Sequence, residues 1–128
     1  MKFFKYSGNH YLMGCMIFLF AQSVLAGDPI AGEKVFQKCK ACHEIAAEKN
    51  KIGPSLHGVI GRKAGGSSSF ANYSDAFKNT DITWSEEVLK EFLQSPMTYI
   101  KGTRMFFNGI KSEQEIDDLI AYIKSSSH

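Results

Sequence analysis

The residues with the most chemical potential stand together in one short run, Cys39, Lys40, Ala41, Cys42 and His43. Two thiols three positions apart lie about one helical turn from each other. Each can therefore bond one vinyl group of a single porphyrin while the adjacent imidazole turns to the metal. The pattern Cys-x-x-Cys-His is the attachment sequence of c-type haem. Covalent attachment keeps such a group from being lost outside a cell. Three other uses of the pair compete. A zinc site needs two further ligands, and beyond residue 26 the only histidines besides His43 are His57 and His128, with no second cysteine pair. A thioredoxin-type pair follows a strand in an α/β pattern, which this chain lacks. A structural disulfide would use the same two thiols, yet average residue usage produces a chance Cys-x-x-Cys-His in a chain this long on the order of once in a thousand.

The sixth position of such an iron decides what the protein does. A filled position makes an electron carrier, and an open one admits oxygen, peroxide or carbon monoxide. Beyond residue 26 the candidates are Met97 and Met105. Residue type alone does not choose between them, because methionine is also a common core filler.

The elements that must position these groups are helical. Asp28 followed by Pro29 is a capping carboxylate with a proline at the first turn, and Ile30, Ala31, Val35 and Phe36 continue as an apolar stripe. This predicts a first helix running to about Cys39 or a little beyond. Thr83 and Glu86 have the spacing of a capping box, with Val88, Leu89, Phe92 and Leu93 on one face before Ser95 and Pro96 stop the helix. Ser112 and Glu115 repeat the capping-box spacing, and Ile116, Leu119, Ile120 and Ile123 recur at three and four. Asp117, Asp118 and Lys124 are read onto the polar side of that last helix. Between Glu44 and Thr80 no sustained periodicity appears, only glycines, Pro54 and a serine run, with short turns expected around Asp75 to Lys78. A loop that long is unusual in a compact domain unless it lies against a cofactor. The expected fold class is all-α, with three main helices and long loops wrapped around one covalent haem.

With 128 residues, 44% of them apolar and 22% charged, the chain has room for one domain. Lys2 and Lys5 precede an uncharged run from Tyr11 to Ala26, which reads as an export signal over residues 1–26 with cleavage after Ala26. The remainder, 27–128, is the domain. A retained anchor is the rival reading, but the run is shorter than the roughly 20 residues a membrane span needs. Cys15 precedes most of the apolar stretch, the wrong order for a lipoprotein acceptor, and reads as part of the signal. Two of the fifteen basic residues and none of the thirteen acidic ones lie in the signal, so the remainder is formally neutral. The chain carries no dense basic run of the kind that binds nucleic acid.

Several separate segments resemble class I cytochrome c, of the mitochondrial and bacterial c2 type. They are Gly53, Pro54, Ser55, Leu56, His57 and Gly58, then Gly61, Arg62 and Lys63, and finally Tyr99 to Met105. The resemblance spans essentially all of 27–128 and implies haem c with its iron as cofactor. It implies that His43 and Met105 are the axial ligands and that Met97 is not. It also implies that the Pro54 carbonyl accepts the ring N–H of His43, that Tyr73 and Trp84 hydrogen-bond a haem propionate, and that Arg62 compensates the propionate charge. Phe36, Leu119 and Tyr122 match the contact between first and last helices, with Gly32 permitting close approach. Phe77 and Phe92 stand where relatives usually carry asparagine and tyrosine, and Lys101 where proline is common. An amine at Lys101 is expected near the iron, able to displace Met105 at alkaline pH.

The function implied is a soluble single-haem electron carrier rather than an enzyme. Its partners would be redox proteins such as a cytochrome bc1 complex and a terminal oxidase or photosynthetic reaction centre. Docking is expected at the haem edge, with Lys38, Lys40, Lys101, Arg104 and Lys111 as a basic rim. The protein is expected in a bacterial periplasm, as a monomer, with no small-molecule substrate and no nucleic acid. The alternative is a haem enzyme or gas-binding protein with a labile sixth ligand, for which His57 is the only internal histidine left to act as a distal acid or base.

Overall fold

A computed structural model describes residues 2, 3 and 26–127. The segment read as an export signal therefore falls almost wholly outside the described residues. Among the described residues five helices follow one another: α1 Pro29–Phe36, α2 Asp75–Lys78, α3 Glu86–Gln94, α4 Pro96–Tyr99 and α5 Glu113–Ser125. Among the described residues no strand forms, and a single antiparallel bridge joins Lys63 to Thr83. None of the described helices is long and apolar enough to cross a membrane.

The Asp28 side chain accepts the Ile30 N–H at 2.9 Å, and Pro29 occupies the first turn of α1. The helix ends at Phe36, earlier than its apolar pattern predicts. Its last turn tightens into i→i+3 bonds, with Lys38 N–H donating to Val35 and Cys39 N–H to Phe36. Cys42 and His43 then both donate to the Cys39 carbonyl, at 3.0 and 2.9 Å. The cysteine pair thus sits on turns, not on the helix itself.

Helices α1 and α5 make the most extensive helix pairing, with α3 also packed on α5. Gly32 is the point of closest approach, where a Cβ would overlap the Asp118 carbonyl and reach 2.8 Å from Tyr122 Cβ. Beside it the rings of Phe36 and Tyr122 lie 5.5 Å apart. Asp118 departs from its sequence reading: it is buried, and its carboxylate accepts the Asp28 backbone N–H and the Gln114 amide, both at 2.8 Å. A carboxylate anchors the start of α1 here because the first N–H groups of a helix lack partners within it. Gly32→Ala should therefore destabilise the protein by about 3 kcal/mol, the upper end of the usual overpacking cost. Chemical denaturation of the haem-loaded protein, read by circular dichroism, measures this.

Helix α3 begins two residues later than the capping-box spacing suggests. Trp84 N–H donates to Arg62 and Gly61 N–H to Trp84, so the chain stays extended through Trp84. Ser85 becomes the cap, accepting Val88 N–H at 3.2 Å. Glu86 instead pairs with Lys124 of α5 at 2.6 Å. Pro96 ends α3 and also opens α4 at its first position. In α5 only half of the expected box forms: Ser112 accepts Glu115 N–H, while the Glu115 carboxylate pairs with Lys38 at 3.1 Å. The stretch from 44 to 74 forms no helix, as its glycines predict, and α2 lies where short turns are expected. The buried side chains of α1, α3 and α5 form one core, whose most enclosed members include Ile116 and Leu119.

Candidate functional site

The loop after the cysteine pair folds back on it. Gly53 N–H donates to the Cys42 carbonyl and Leu56 N–H to that of Glu44, each at 2.8 Å. Within the loop, Asn50 accepts Ser55 N–H at 2.9 Å, and the buried Ser55 hydroxyl donates to Ala47 at 2.7 Å. These bonds hold Gly53 and Pro54 against the imidazole of His43. A Cβ at Gly53 would run into the ring, lying 2.8 Å from Nδ1 and closer still to Cε1. Glycine is thus required here for contact, not only for a turn.

His43 is buried, and its Nδ1 lies 2.7 Å from the Pro54 carbonyl oxygen. A carbonyl can only accept, so Nδ1 carries the proton. The Nε2 lone pair is left with no protein partner among the described residues. Burial holds the imidazole pKa below its ordinary value, opposed by the Pro54 bond, which keeps that lone pair free for a metal. Cys39 is pushed up to about 11, chiefly by burial and against the nearby Lys38 charge. A thiol so reluctant to ionise is not the activated nucleophile of a dithiol oxidoreductase. Nor do any three His, Cys, Asp or Glu side chains converge as a metal-binding group among the described residues, which leaves the zinc reading without ligands.

Cys39, Cys42 and His43 line one wall of a cavity of about 330 Å³, mostly apolar, whose wall also includes Pro54, Arg62, Tyr73, Trp84 and Met105. Every residue expected to contact the haem group or ligate its iron at rest lies on this one surface. Met97 does not; it is 40% exposed and away from the cavity. The loop bearing Met105 is pinned by its own backbone. Thr103 N–H donates to Ile100 at 3.1 Å, the buried Thr103 hydroxyl accepts Met105 N–H at 3.0 Å, and Phe107 N–H returns to Met105. A thioether sulfur and an imidazole nitrogen on one apolar cavity, with two thiols beside the histidine, are the donor set of a covalently held haem.

Comparisons with known proteins agree. Residues 30–127 match the family model described as Cytochrome c. The chain belongs to the cytochrome c family. It is 50% identical to the cytochrome c2 of Blastochloris viridis over 112 residues, 84% of this chain and 87% of that one. It is likewise 50% identical to the cytochrome c2 of Rhodoblastus acidophilus over 99 residues, 77% of this chain and 92% of the relative. Among solved structures, cytochrome cH from Methylobacterium extorquens superposes with a TM-score of 0.73 at 46% identity, covering 77% of this chain and 99% of its own. The protein is a class I c-type cytochrome of all-α fold, carrying covalent haem c with its iron and acting as a single-haem electron carrier between redox proteins.

In this cytochrome the residues fit that group. The cavity is lined by flat and branched apolar side chains, and the ring nitrogen facing it is unprotonated. Trp84 is buried and lines the cavity. The Tyr73 hydroxyl accepts only a long bond from Ser67 N–H, 3.4 Å. Arg62 donates to the Ser55 and His57 carbonyls at 2.8 and 3.2 Å, so much of its hydrogen bonding is spent holding the loop on the His43 side. Phe77 and Phe92 pack edge-on with rings 6.2 Å apart, and Phe92 lies 4.9 Å from Trp84. Where a tyrosine and an asparagine would bring hydrogen bonds, this wall is hydrocarbon.

The basic rim is smaller than its sequence reading. Lys38 and Arg104 line the cavity, whereas Lys40, Lys101 and Lys111 do not. Lys111 instead donates to the Gln94 carbonyl at 3.2 Å. Lys101, expected near the iron, is exposed on a separate groove. Two apolar residues at the cavity wall escaped the sequence reading: Ile52 is 78% exposed and Phe106 85% exposed. An isoleucine and a phenylalanine flanked by loop residues were the available signal.

Proposed function

We propose that Cys39 and Cys42 would hold the haem through thioether bonds, that His43 Nε2 and Met105 would ligate its iron, and that the protein is a carrier and not an enzyme. The observation that supports this is the convergence of the two thiols, the imidazole and the Met105 loop on one apolar cavity. Haem supplies a metal that holds or releases one electron. The chain's own groups keep that site rigid. Pro54 fixes the tautomer and orientation of His43 and raises its donor strength. Thr103 holds the Met105 backbone, and the apolar wall excludes water. A filled, rigid coordination shell changes little between oxidation states, which suits outer-sphere transfer and leaves no position for a substrate.

Partner docking is assigned to the cavity mouth, where exposed Phe106 and Ile52 offer apolar contact flanked by Lys38 and Arg104. The partners proposed are a cytochrome bc1 complex as donor and a terminal oxidase or photosynthetic reaction centre as acceptor, met by a monomer in a bacterial periplasm. The export signal over residues 1–26 would be cleaved after Ala26. Arg62 takes the role of compensating propionate charge, with Tyr73 and Trp84 as propionate donors. The gas-binding alternative wants a distal acid or base. His57 lies off the cavity wall, with Nδ1 3.2 Å from the Ile45 carbonyl oxygen.

Carbon monoxide tests this function. The reduced protein at neutral pH should show no rapid binding, because Met105 fills the sixth position. Fast, stoichiometric binding to the unaltered protein would make it a gas-binding protein or an enzyme instead.

A further inference from the structure

A second concavity, of about 640 Å³, opens between the segment carrying α2 and the loop that leads into Met105. Three cations line it: Lys78 from α2, and Lys101 and Arg104 from the loop. The sole carboxylate there is Asp75, whose side chain is 91% exposed and lies 3.8 Å from Lys78. An exposed pair at that distance contributes little, so the groove keeps a formal charge of +2. Lys101 makes no hydrogen bond or ion pair with the described residues. Arg104 uses one nitrogen, Nη2, on the carbonyls of Asn72 and Tyr73 at 2.7 and 2.9 Å. Its Nη1 and Nε remain for a ligand. Residues 27–128 as a whole are formally neutral, so this concentration of positive charge is local and not a consequence of overall composition.

We propose that this groove binds a small polyvalent phosphate anion of the pyrophosphate class. The planar guanidinium of Arg104 can meet two phosphate oxygens at once, and the two lysines act as point charges from opposite sides. A monovalent carboxylate would leave the groove still positive. The walls belong to different segments, and the Arg104 bonds to Asn72 and Tyr73 already tie them together. A bound anion adds a second tie across the same seam, one residue before Met105. Occupancy therefore ties the α2 segment more firmly to the loop that carries Met105.

Pyrophosphate is the probe, titrated into the haem-loaded protein at constant ionic strength and followed by calorimetry and amide NMR. The expected result is saturable binding at one site, with shifts concentrated in residues 73–79 and 101–104. The double variant Lys78→Gln, Lys101→Gln should weaken it tenfold or more, with unchanged circular dichroism. Lys34→Gln, which removes a charge from α1 outside the groove, should leave the affinity unchanged. The proposal is overturned by absence of saturable binding at matched ionic strength, or by an equal loss in Lys34→Gln. Binding to phosphatidylglycerol vesicles without saturable pyrophosphate binding also overturns it, assigning the charge to a membrane surface.

Discussion

Replacing both Cys39 and Cys42 with alanine should yield a chain with no covalent haem and no cooperative unfolding transition. The reason lies in the size of the cavity relative to the stability of the domain. An unfilled, mostly apolar cavity of about 330 Å³ deprives its lining of the packing contacts that stabilise the core. Domains of this size are stable by only about 5–15 kcal/mol. Without its haem the core loses the surface against which the 44–74 loop and the Met105 loop are laid. Those segments have few bonds to α1 and α5 to hold them otherwise. Denaturing electrophoresis with haem staining tests the attachment, and thermal circular dichroism tests the cooperativity. A sharp transition in the haem-free double variant would show that protein packing alone sustains the fold.

Met105→Ala should open the iron, while Met97→Ala should change nothing at the site. Met105 lines the cavity on a loop pinned through Thr103, whereas Met97 is 40% exposed at α4 and lies off it. The ferric charge-transfer band of methionine ligation should vanish in Met105→Ala, and the reduced variant should bind carbon monoxide rapidly. Its midpoint potential should fall by on the order of 0.1 V or more, since axial ligands move haem potentials across about 0.8 V. Met97→Ala should keep the band, the potential and the resistance to carbon monoxide. Loss of the band in Met97→Ala alone would reverse the assignment. Because the cysteines and His43 are untouched, the covalent haem should persist in both variants.

Helix positions were legible in the chain to within a few residues where a cap and an apolar stripe coincided. Asp28 with Pro29 and Ser112 at the start of α5 are of this kind, because both signals act within one turn. Errors arose where a distant partner competed for a local group. The Thr83 and Glu86 pair was drawn off by Lys63 and Lys124, so Ser85 caps α3. Asp118 has a polar side chain at a position facing α1, and only the docking of α1 on α5 supplies the Asp28 N–H that makes its burial favourable. The early end of α1 likewise reflects turns that carry Cys39 and Cys42 to the cavity wall.

What the sequence determined by itself was the attachment chemistry, since Cys39, Cys42 and His43 lie within five residues and their spacing is set by covalent geometry. It also determined the helical class, because caps and apolar periods are local. The choice between Met105 and Met97 could not be made from residue type, since both are thioethers in plausible loops. Only the tertiary structure sets one of them on the cavity, through the return of the 100–107 loop over residues more than sixty positions away. The same holds for charge. Lys38 and Arg104 reach the cavity and Lys101 faces a separate groove, a distinction that depends on where the loops cross and that no one-dimensional spacing contains.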